Sequence, residues 1–145
     1  MFQRIDLPLM GYTLLSLWMG VLLFHVVVVV PSATRVLSRD KLGEFSLSVQ
    51  ESFHRWGLVL TALSSVLLIS GGETSGALLS SVVFASVLFS EYLRRRVRNL
   101  LKRYREERSD SLKGEILSTY RFVAYATYTQ VVAGLGALAI GWLRL

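Results

Sequence analysis

Long uncharged stretches alternate with dense clusters of charge along this chain. No Asp, Glu, Lys or Arg falls between Leu9 and Val30, 22 residues that end in the run Val26 to Val30 ahead of Pro31. A helix crosses a bilayer with about 20 apolar residues, so this stretch suffices for one span. Two further charge-free windows, Trp56 to Gly72 and Thr74 to Ser90, hold 17 residues each, and a fourth, Phe122 to Leu143, holds 22. The Gly-rich stretch at residues 71–76 reads as a hairpin between the two shorter windows. The pattern predicts an all-α protein: one domain, an integral membrane four-helix antiparallel bundle with spans at about 9–30, 54–71, 75–93 and 121–143. The first stretch reads as a retained span rather than a signal peptide, because Arg4 is balanced by Asp6 and its apolar run is long.

Between the charge-free windows the residues repeat at helical spacing. Tyr92, Leu93, Val97, Leu100, Leu101 and Tyr104 recur through the arginines, which predicts that the third helix continues past the membrane to about Glu107. Ser109, Asp110 and Ser111 break the chain, and a new helix is expected from Leu112 or Lys113. The two long helices then form an antiparallel hairpin beyond the bilayer. Leu42, Phe45, Leu47, Val49 and Phe53 predict a helix from about Lys41 that runs into the second span.

Charge decides orientation. Ten of the 16 basic residues lie between the third and fourth spans, and Arg35, Arg39, Lys41 and Arg55 lie between the first and second; only Arg4 and Arg144 lie opposite. The excess marks the cytoplasmic side of what reads as a prokaryotic cytoplasmic membrane, with both termini outside. Arg94, Arg95, Arg96, Arg98, Lys102 and Arg103 are the candidates for contact with anionic lipid headgroups or a partner. With its basicity explained this way, a net charge of +6 calls for no nucleic acid. Hydrophobic residues at 52%, charged residues at 18% and a mean hydropathy of +0.49 agree with a membrane protein. With 145 residues there is no room for a two-domain enzyme, and the absence of cysteine removes disulfides and thiolate metal sites.

Several features together carry a resemblance. They are the four spans and the lead-in of Leu42, Gly43, Phe45, Val49 and Gln50 before Phe53 and His54. To these are added the arginine-rich extension of the third helix with its acidic end, and the approach of Arg121, Phe122 and Tyr125 to a small-residue last helix. In this the chain resembles the transmembrane protein 205-like family, a domain of unknown function in bacteria. The resemblance covers nearly the whole chain and implies a four-helix membrane protein without established enzyme chemistry. Where that family has a histidine near the start of the last helix, this chain has Tyr125 and Tyr128.

Polar residues inside spans are costly and mark candidate sites. His25, Glu91 and Gln130 all fall in the half of the membrane nearest the arginines, with His54 at the boundary. Two histidines on facing helices suit haem b, but counting at 1.5 Å per residue from Pro31 puts His25 about a turn and a half deeper than His54. A catalytic zinc site needs three protein ligands, for which only His25, His54 and Glu91 are at hand. Glu91 also has an ordinary partner in Arg95, four residues on. Small residues are more abundant. Ala133, Ala137 and Gly141 share a face with Ala126 and Gln130, and Gly57, Thr61 and Ser64 continue from His54, spacings that let membrane helices approach closely. Trp56, Trp142 and Tyr12 suit interfacial anchors, and Trp18 suits packing.

No nucleophile with its base, no phosphate loop and no close carboxylate pair is present. The sequence therefore predicts a non-enzymatic protein without a cofactor: an accessory subunit joined to other membrane subunits, or a homo-oligomer. The alternative is a small transporter or a haem- or metal-binding protein using His25, Glu91 and Gln130.

Overall fold

The computed structural model describes residues 6–144, with the side chains of residues 39, 40, 42–44, 46, 47 and 50 left out. Arg4 and the side chains of Leu42, Gly43, Leu47 and Gln50 thus lie outside the described residues. The described chain is four helices without a strand: α1 (Leu7–Val36), α2 (Arg39–Ser70), α3 (Thr74–Glu107) and α4 (Asp110–Trp142). Each contains a segment long and apolar enough to cross a membrane.

Local chemistry sets the ends of these helices. Asp6 caps α1, its Oδ1 accepting the Leu9 backbone N–H at 3.1 Å, and Pro8 sits in the first turn, where its missing N–H costs nothing. Between His25 and Val29 the helix widens to a π turn, and the Val30 N–H bonds the His25 carbonyl. Pro31 accounts for it: the ring lacks an N–H and clashes with the carbonyl four residues back, and a wider preceding turn relieves both. Leu37 is extended and ends α1.

The α2–α3 hairpin closes with paired backbone bonds. Glu73 donates to the Leu68 carbonyl at 2.9 Å and Gly72 to the Ile69 carbonyl at 3.0 Å. Gly72 holds φ +80°, the left-handed position this closure requires. At the other end α3 stops at Arg108, a non-glycine residue at φ 44° and ψ 36°. Because Ser109 is extended and its carbonyl accepts the Lys113 N–H, α4 begins at Asp110, slightly earlier than the serines suggest.

The helices pack as an antiparallel ring in which α1 also touches α4. Its centre holds Leu15, Trp18, Met19 and Leu22 of α1, Val83 and Val87 of α3, and Ala133 and Ala137 of α4. Beyond it α3 and α4 continue together and bury Leu100, Leu112 and Ile116, with Leu101 and Tyr104 alongside. Glycines admit the bulk: a Cβ at Gly57 would overlap the Trp18 ring, and one at Gly134 the Met19 sulfur. One aromatic departs from expectation. Trp56 and Trp142 face outward, but Tyr12 is buried against Gly76 and Gly141, since those glycines open a slot its ring fills.

Candidate functional site

Three polar regions lie within or beside the apolar bundle. The first is a seam of hydroxyls toward the Gly71–Gly72 end. Ser64 donates to the Gly11 carbonyl at 2.9 Å, Ser80 to Ser64 at 3.1 Å, and Ser65 to Ser80 at 3.0 Å, while Thr61 bonds the Gly57 carbonyl within its own turn. The bonds tie α1, α2 and α3 together. Of the small-residue candidates, Gly57 and Ser64 meet α1, Thr61 is buried, Ala133 and Ala137 belong to the central core, and Gly141 lies against Tyr12. Ser65 and Ser80 were not among the candidates, because a serine in an apolar run does not show from sequence which neighbour it faces.

The second region is a small cavity of about 120 Å³ bordered by His25, Phe53, His54, Thr127 and Gln130. The Phe53 ring lies 4.8 Å from the ring of His25 and 5.8 Å from that of His54, centre to centre, and 4.6 Å from Trp18. Gln130 donates from Nε2 to Ser90 Oγ at 3.1 Å, linking α4 to α3. The predicted depth offset does not keep the histidines apart. Pro31 is not the end of α1, which runs on to Val36, and both histidines border the one cavity with the Phe53 ring against each.

Glu91 belongs to the third region. Arg94 holds it through two bonds, Nε to Oε2 at 2.7 Å and Nη2 to Oε1 at 2.6 Å, and Arg95 adds a third at 3.0 Å. A zinc site of His25, His54 and Glu91 is therefore not assembled; among the described residues no three His, Cys, Asp or Glu side chains gather as a metal would need. Glu51 plays the matching part on α2, accepting from Arg55 at 3.0 Å and Arg98 at 2.9 Å. It precedes the second charge-free window, and the Arg98 hydrogen bond holds its carboxyl below the usual glutamate value. Glu51 was missed as a candidate, although Arg55 four residues later is a signal legible in sequence. Arg96 pairs across to Glu115 of α4 at 2.7 Å and Arg103 approaches Glu107 at 4.0 Å, while Lys102 borders the same cleft as Arg94 and Arg98.

Outside the ring, α3 and α4 enclose an apolar groove of about 760 Å³, lined by Leu79, Tyr125, Tyr128, Thr129, Val132 and Gly136 among others. A second depression of about 350 Å³ shares Tyr125 and Thr129 with it. Tyr125 and Tyr128 are 69% and 74% exposed.

The sequence profile of a family described as a domain of unknown function, DUF4149, matches residues 13–108, from within α1 to the end of α3. It supports a family of unknown function, and the transmembrane protein 205-like name does not come with it. No curated protein and no solved structure matches the chain.

Proposed function

This chain belongs to the DUF4149 family, a domain of unknown function, and from that premise we propose that it is a non-enzymatic accessory subunit that docks a transmembrane helix of another membrane subunit. The groove between α3 and α4 carries this reading. Elsewhere the outer surface is apolar: Leu17, Phe24 and Val27 of α1 are exposed and suit lipid tails. The α3–α4 face instead offers a depression floored by Ala133 and Gly136, beside the hydroxyls of Tyr125, Tyr128 and Thr129. Thr129 bonds the Tyr125 carbonyl within its own helix and tyrosines also suit the membrane interface, but a depression floored by small residues is what membrane helices use on one another. The charge bias supports a cytoplasmic position for the arginine-rich end.

The test uses one substitution in the groove and one opposite it. Gly136→Leu fills the depression and is expected to release the partner during mild extraction while leaving the thermal transition of the bundle unchanged. Leu17→Ile on α1 is expected to keep the assembly. Retention of the partner by Gly136→Leu would contradict this docking site, and assembly only with identical copies would contradict the accessory role.

A second reading has its own observation: His25, His54 and Gln130 border one cavity. At about 120 Å³ it is well below the roughly 300 Å³ of ordinary ligand pockets, which favours water or one small solute over a haem. Uptake lost in a folded His25→Ala variant would favour transport. A visible absorption band or bound metal lost in the same variant would favour ligation.

A further inference from the structure

The arginine-rich end contains more positive charge than its carboxylates neutralise. Between α2 and α3 lies a cleft of about 450 Å³ walled by Arg55, Arg94, Arg95, Arg98 and Lys102, with Glu51 and Glu91 as its acids. Five cations face two anions. Both carboxylates are already engaged: Glu91 by Arg94 and Arg95, Glu51 by Arg55 and Arg98.

Arg94 shows what is missing. Its side chain is 5% exposed, yet Nη1 has no hydrogen-bond acceptor among the described residues, and Oε2 of Glu51 stands 3.9 Å from it. A buried guanidinium N–H without an acceptor is costly, and Arg94 is one of the residues that line the cleft. The missing group is anionic, since the surplus is positive. It also needs several oxygens, because the donors approach from α2 and from successive turns of α3. Phosphate meets both demands, offering several charged oxygens to the cations around the cleft, one of them to Nη1 of Arg94, whose Nε and Nη2 are held by Glu91. Leu58, within the second charge-free window, borders the same cleft, so the site straddles the edge of the apolar belt.

We propose that this cleft binds one phosphate group per chain, carried by an anionic phospholipid or by soluble phosphate. The site does not depend on the docking groove, which lies between α3 and α4. Full-length protein in phosphate-free detergent would be titrated separately with short-chain phosphatidylglycerol, phosphatidylcholine and sodium phosphate, with adducts counted by native mass spectrometry. A single adduct per chain is expected, with phosphatidylglycerol preferred over phosphatidylcholine. Arg55→Gln and Lys102→Gln, both at accessible positions, are each expected to weaken it about fivefold, the contribution of one basic residue near an anionic headgroup. Arg94→Lys keeps the charge beside Glu91 but removes the fork, and is expected to weaken binding at least as much. Arg105→Gln, farther along α3, is expected to have no effect.

Phosphatidylglycerol binding that sodium phosphate does not displace identifies a lipid headgroup. An adduct with sodium phosphate alone identifies a soluble source. Absence of both adducts, equal binding of the two lipids, or equal weakening by Arg105→Gln would overturn the site. Should Arg94→Lys fail to fold, the Arg55 and Lys102 variants still decide.

Discussion

Toward the Gly71–Gly72 hairpin the helices are joined by neutral hydroxyls and by glycines that accept aromatic rings, with an ion pair, Arg144 to Glu73 at 2.6 Å, at the exposed rim; toward Arg108 they are joined by guanidinium and carboxylate groups. In the first region Ser64, Ser65, Ser80 and the Gly11 carbonyl satisfy one another, and Gly76 and Gly141 let Tyr12 sit against backbone. In the second, Glu91 and Glu51 are each shared among several arginines and one guanidinium N–H is left over. The difference follows from solvent. Inside hydrocarbon an unpaired charge is expensive, so the seam uses short neutral bonds and close approach. At the edge of the apolar belt charge is tolerated, and its surplus is available for binding. One end is therefore closed and structural, the other open and receptive.

Breaking the charged end at its most buried pair gives the largest expected effect. Glu91→Gln leaves Arg94 without its bidentate partner, and loss of one member of a buried pair costs about 3–5 kcal/mol. Unfolding followed by denaturing-detergent titration should show it, and a shift no larger than that of an exposed surface variant would deny that this pair is structural. Next comes the apolar core between the two ends. Gly57→Leu forces Trp18, 1% exposed, out of its place, and overpacking of this kind costs about 1–3 kcal/mol. A blue- or red-shifted tryptophan emission in that variant would report the displacement directly.

Ser80→Ala sharpens the comparison, because it removes two hydroxyl bonds without changing packing. Each such bond in a membrane contributes about 0.6 kcal/mol, so the loss should be near 1 kcal/mol and independent of salt. Salt sensitivity in its unfolding would contradict a neutral seam. The smallest effect is at the α3–α4 break: Arg108 holds a left-handed conformation that costs a side-chain residue about 1 kcal/mol, so Arg108→Gly should be neutral or slightly stabilising in the same titration.

Much of this was legible in sequence, and the reasons differ by region. The four helices follow from charge-free windows because hydrocarbon excludes charge so strongly that gaps in the charge pattern mark spans by themselves. The extension of α3 to Glu107 follows from helical periodicity through the arginines. The π turn before Pro31 is a local compromise that no periodicity encodes, and the depth of His25 was misjudged by treating that proline as a helix end. Tyr12 looked like an interfacial anchor because its inward slot depends on Gly76 and Gly141, far away in the chain. Glu51 and the groove at Tyr128 and Gly136 depend on which helix faces which, and that is decided only when the ring closes.

The proposed role is to join another membrane subunit. Native mass spectrometry of the chain extracted from its own membrane in mild detergent tests it most directly. A hetero-complex of fixed stoichiometry is expected, its mass falling to that of the lone chain in Gly136→Leu. A lone chain or a homo-oligomer from the wild-type protein, above all one carrying a haem or metal mass, would contradict it.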